Sequence, residues 1–141
     1  MPGSATTFLE SAVLGHTLAF APMTVPAGCF IALCAASPPP QAGTPGIECT
    51  GGAYARQAAV FALITPPPTI AANTATISFP IATTPWGTLG YFEVWSAVTA
   101  GNRLYWGPLV NPADGITPIT RDILTGDVVR LAAGTIHIQA T

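Results

Sequence analysis

Thr88-Leu89-Gly90-Tyr91-Phe92-Glu93-Val94-Trp95 and Arg103-Leu104-Tyr105-Trp106-Gly107-Pro108-Leu109-Val110 are separated by Ala100-Gly101-Asn102. Aromatic and β-branched residues suit a pleated, half-buried surface, and the short polar break with glycine suits a turn. The stretch therefore reads as two strands and a turn. Working outward, Gly28 to Ala35 is an apolar run consistent with a buried strand. Ala53 to Ala62 reads as a strand with Tyr54, Arg56, Ala58 and Val60 on one face, broken by Pro66-Pro67-Pro68. Thr74 to Phe79 alternates, with Ala75, Ile77 and Phe79 facing inward. Asp127 to Leu131, a turn at Ala132-Ala133-Gly134, and Thr135 to Gln139 read as a C-terminal hairpin, with Ile136 and Ile138 on one face.

The sum is about seven or eight short antiparallel strands at regular spacing, the pattern of an all-β, jelly-roll-like β-sandwich. One helix precedes it. Thr7-Phe8-Leu9-Glu10 fits a capping box, and apolar residues fall four apart (Phe8 and Ala12, Leu9 and Val13, Leu14 and Leu18). Pro22 and Pro26 follow, so the helix is expected over about 7–19 and the sandwich over about 28–141, all in one domain. Between them, Ser37 to Gly52 is a long loop rich in proline and glycine.

Composition narrows the function classes. The chain has 141 residues, 50% hydrophobic, with 14 glycines and 15 prolines, which excludes a mostly helical protein or a coiled coil. Only 7% of residues are charged, against roughly 25% in an ordinary soluble protein. There is no lysine; the basic residues are Arg56, Arg103, Arg121 and Arg130. No apolar stretch approaches the roughly 20 residues of a membrane span. The start lacks a basic region, so no signal peptide is expected. A net charge of −2 without a basic cluster argues against nucleic acid. So little charge cannot coat a free monomer, whereas permanent interfaces are depleted in charge. A subunit of a lasting assembly is expected, with closed symmetry and a homotrimer favoured.

No catalytic constellation is visible, and no cofactor or metal site is expected. Cys29 and Cys34 are five apart, on opposite faces of a strand, which is wrong for a zinc knuckle. With Cys49 they read as small buried hydrophobes; Cys49 as a nucleophile has no local signature. His16 and His137 are isolated. Glu10, Glu48, Glu93, Asp114, Asp122 and Asp127 are scattered singly, and no phosphate-binding glycine loop is present. Trp86, Tyr91, Phe92, Trp95, Tyr105 and Trp106 could stack on sugars, but their place within strands favours core or interface packing.

A series of motifs carries a resemblance. Gly51-Gly52-Ala53-Tyr54-Ala55-Arg56-Gln57 is followed by Ala72-Asn73, Ile77-Ser78-Phe79-Pro80, Ala82-Thr83, Trp86-Gly87-Thr88 and Tyr91-Phe92-Glu93-Val94. Then come Gly101-Asn102-Arg103-Leu104-Tyr105-Trp106-Gly107, Gly126-Asp127-Val128-Val129 and Ala133-Gly134. The order resembles a family of small virion structural proteins of tailed bacteriophages and gene transfer agents, labelled tail fibre, minor tail protein, head spike or decoration. Trp95-Ser96-Ala97 departs from the family, which usually has aspartate before the alanine, and the loop from Pro38 to Pro45 is idiosyncratic.

The resemblance implies a virion protein, assembled in the host cytoplasm, that self-associates and docks on capsid or tail proteins without catalysis. A capsid decoration or head spike is the leading expectation. A tail, collar or fibre component, or a host-glycan-binding module, is the alternative. The expected docking surface combines the helix (Phe8, Leu9, Leu14, Leu18) with the loop (Pro38, Pro39, Pro40). The competing expectation is a helix that plugs one end of its own sandwich.

Overall fold

The computed structural model describes residues 1–64 and 69–139. It is β-rich with one helix. In chain order the elements are β1 (Pro2–Ala5), α1 (Thr7–Leu18), β2 (Cys29–Ala35), β3 (Gln57–Ala59), β4 (Phe61–Ile64) and β5 (Ile70–Asn73). They continue with β6 (Ile77–Ser78), β7 (Gly87–Trp95), β8 (Arg103–Pro108), β9 (Arg121–Ile123), β10 (Arg130–Leu131) and β11 (His137–Gln139).

The main sheet runs β3-β2-β7-β8-β1-β11-β5-β4, with β9 also paired to β7; β10 and β6 form a separate pair. Strands β3 and β4 lie at opposite ends of this order, yet Val60 alone joins them. The sheet must therefore curl until its two edges meet at Val60, giving a nearly closed sandwich. The carbonyl of Val60 accepts from the Thr74 amide at 2.9 Å. Strand β1 stitches the two halves: Pro2 and Gly3 pair in parallel with β11, and Ser4 and Ala5 pair antiparallel with β8. A side chain at Gly107 would collide with the Pro2 carbonyl and Phe92, so glycine lets β1 approach.

Inside the curl, Ile31, Leu33, Leu89, Phe92, Val94, Ile123, Ile136 and Ile138 pack with Ile77, Phe79 and Trp86. Burying one such side chain stabilises the fold by about 1.5–3 kcal/mol. A bulge opposite Cys34 and Ala35 shifts β7 by one residue at Gly90, so Leu89 and Phe92, three apart, both reach the core. The opposite face of β2 and β7 is buried too: Ala32, Cys34 and Glu93 are inaccessible there. Double burial is why Gly28 to Ala35 reads as continuous rather than alternating hydrophobicity.

Several sequence expectations need correction. The strands number eleven among the described residues, and β1 with β11 is a parallel pair. The C-terminal hairpin does not exist: β10 pairs with β6, while β11 pairs with β5 and β1. The turn at Ala132-Ala133-Gly134 instead carries the chain between sheets. Buried Asn73 satisfies it, donating from Nδ2 to the Ala132 carbonyl at 3.0 Å and accepting from the Ile136 amide at 2.9 Å. The expected strand from Ala53 to Ala62 is broken by a turn at Ala53 (φ 69°) and again at exposed Val60. Only Ile77 and Ser78 of the Thr74 to Phe79 run pair as strand, and Ala75 is exposed. Pro66-Pro67-Pro68 lies outside the described residues. Strands β1, β5 and β9 had no distinct signal.

Candidate docking surface

Helix α1 starts one residue earlier than the capping box implied. Thr6, not Thr7, is the cap: its hydroxyl accepts from the Leu9 amide and donates to the Arg103 carbonyl at 2.6 Å. That second bond ties the helix start to β8. Leu9 is the one buried residue of α1 and sits beside Leu104, outside the main core. The helix thus lies on the outer face of the sheet at β8 and does not plug an end. Phe8, Val13 and Leu14 remain exposed, and Leu18 keeps 74% of its surface accessible.

The helix ends unusually. The Ala21 amide donates to the Gly15 carbonyl at 2.9 Å, closing a seven-residue turn that includes Phe20 at φ 55°. Glycine or asparagine normally occupies this left-handed position, and another residue is penalised by roughly 1–2 kcal/mol. Phe20 is 89% exposed and Val25 84%. From Ala21 to Gly28 the chain runs back without regular structure, leaving a groove of about 490 Å³ between α1, this arm and the β7–β8 turn.

The proline-rich loop is clamped onto the same outer face. Glu93, wholly buried, accepts on Oε1 from Arg103 at 3.0 Å and from the Gly46 amide at 2.8 Å, and on Oε2 from the Trp95 indole at 3.0 Å. Arg103 also donates to the carbonyls of Gln41 and Ala42. Beside this pair, Arg56 makes a two-pronged contact with Glu48, at 2.9 and 2.7 Å, and donates to the carbonyls of Ala97 and Ala100. Its guanidinium lies 4.1 Å from the centre of the Trp95 ring. Tyr54 donates to Glu48 and accepts from the Leu33 amide. Burial, with Glu93 and Glu48 nearby, pushes the Cys34 thiol far up, and burial pushes Cys49 up to about 12.

The expected docking residues separate. Phe8, Leu14, Leu18, Pro38 and Pro39 face solvent, whereas Leu9 and Pro40 are taken up inside the chain. Of the aromatics, Trp86 and Phe92 are buried, and Trp86 packs edge-on to Tyr54 and Phe79. Tyr91, Trp95, Tyr105 and Trp106 are half-buried, and Trp106 pairs across the strands with Glu93. Sequence reasoning missed the Glu48–Arg56 and Glu93–Arg103 pairs. Nothing local announces partners 8 and 10 residues apart that meet only across strands and a loop.

A family model described as podophage GP4 fiber I protein gp80 matches residues 4–139, almost the whole chain. The chain belongs to this family. No curated protein matches it. The gp80 family bears out the resemblance to tailed-phage virion proteins: the chain is a structural protein of the fibre class, part of the virion and associated with other virion components.

Proposed function

We propose that this gp80-family chain is a one-domain fibre subunit that forms a closed homo-oligomer, most simply a trimer, and joins the particle through the exposed face of α1. The observation that carries this reading is α1 itself, which buries Leu9 and leaves Phe8, Val13, Leu14 and Leu18 to solvent. The apolar residues of α1 are spread around the helix rather than gathered on one side, so burying Leu9 against the sheet leaves Leu14 and Leu18 without a partner. The proline-rich loop supports the same reading, because Pro38 and Pro39 are exposed on a loop that Arg103 and Glu93 fasten at Ala42 and Gly46. A fibre position is preferred to a capsid-decoration or head-spike position because the family is described as a fiber protein.

Deleting the first nineteen residues does not test this, because β1 is part of the sheet. The test is the double variant Leu14→Glu, Leu18→Glu, scored for folding by circular dichroism and for incorporation into particles. A folded variant missing from particles is expected. Incorporation at the wild-type level overturns the docking role of α1.

A further inference from the structure

We infer that Phe20 of one copy seats in the groove between α1 and the arm of a neighbouring copy, so that each subunit presents a knob and a socket. This rests on the self-association proposed above and names its contact.

Three observations meet here. Phe20 is held in a left-handed conformation, 89% exposed, with its turn fixed by the Ala21-to-Gly15 hydrogen bond. Strained positions persist where the surroundings enforce them, and they concentrate at functional contacts. The groove, lined by Phe8, Leu9, Met23, Val25 and Leu104 among others, has room for a phenyl ring, and Phe20 does not line it.

Charge selects the occupant. Glu48, Arg56, Glu93 and Arg103 are engaged inside the chain. Five of the other six charged residues lie between Asp114 and Arg130 in the chain, the sixth is Glu10 in the first turn of α1, and the groove is lined by none of them. A charged partner surface would lose hydration there without gaining a counter-charge. A second copy of this chain brings an uncharged aromatic knob of suitable size. Knob and socket occupy different places on one subunit, so the contact is head-to-tail and closes into a ring under cyclic symmetry.

The test is sedimentation of the full chain and of Phe20→Ala, Phe20→Leu and Ala12→Trp, the last of which narrows the groove. Thermal melts check that each is folded; Phe20 is exposed, so its loss leaves the fold intact. Association of Phe20→Ala should weaken by roughly 30-fold, as for a central aromatic anchor, with Phe20→Leu intermediate. A groove-filled but folded Ala12→Trp should weaken likewise. As a direct check, Phe20→Cys and Ala27→Cys chains are mixed and oxidised, and a cross-link between the two is expected. Unchanged association of Phe20→Ala, without the cross-link, overturns the knob while leaving self-association standing. A monomeric wild type overturns both.

Discussion

Glu93 and Arg103 form an ion pair at 3.0 Å in which the carboxylate is fully buried and the guanidinium nearly so. The pair joins β7 to β8, and through Gly46, Gln41 and Ala42 it fastens the proline-rich loop to both. Two of the chain's few charges are thus spent on holding a surface loop in one shape.

Removing one partner should leave the other charge stranded. Glu93→Ala is expected to destabilise the protein by about 3–5 kcal/mol in urea unfolding. Amide exchange at Gln41 to Gly46 should speed up more than at Ile136 to Gln139. An equal speeding-up in both segments would mean that the loop is held by something other than this pair.

Arg56 is not replaceable by lysine. Its two-pronged contact with Glu48, its two carbonyl bonds and its place over Trp95 all use the planar fork. Arg56→Lys should lose about 1–2 kcal/mol, nearly as much as Arg56→Ala, by thermal or urea unfolding. Wild-type stability in the lysine variant would contradict this role.

Stability should fall in alkali. Burial raises the Cys49 thiol from 9.0 to about 12, and the Cys34 thiol and Tyr54 phenol also rise. The unfolded chain releases these protons first, so it binds fewer protons than the folded one at such pH. The stability is fully present below pH 9 and is lost progressively as pH rises from 9 towards about 12. Urea midpoints at pH 7, 9 and 10.5 check the sign. In the native protein at pH 7, Cys34 and Cys49 should resist a thiol reagent that labels all three cysteines after unfolding.

The cap and the packing of α1 can be separated. Thr6→Ala should lose about 1–2 kcal/mol, since it deletes the cap and a buried bond to Arg103, while Thr7→Ala changes little. Leu9→Ala should lose about 2–5 kcal/mol, and Leu14→Ala less than about 0.5. A larger loss at Thr7 than at Thr6 would return the cap to Thr7.

These contrasts mark where sequence reasoning reached and where it stopped. Strands β2, β7 and β8 were legible because their apolar and aromatic runs are local and end at turn residues. The inward phase of Ile136 and Ile138 was legible for the same reason. The false C-terminal hairpin came from a genuine turn: sequence shows that the chain bends at Gly134 but not which strands flank the bend, and Asn73, some 60 residues away, decides that. Strands β1 and β9 are recruited by neighbours rather than by their own pattern. The polar clamp was invisible because Glu48, Arg56, Glu93 and Arg103 look isolated along the chain. Of the four α1 residues expected at the surface, Phe8, Leu14 and Leu18 are exposed but Leu9 is buried, and Thr6 replaces Thr7 as the cap, where it also reaches Arg103.

The most direct measurement is the mass of the purified chain by sedimentation equilibrium at micromolar concentration. A self-associating fibre subunit should sediment as a closed oligomer, with three times 14.4 kDa expected. A stable, soluble species of 14.4 kDa, unchanged on concentration, would contradict the reading that other copies cover its uncharged face.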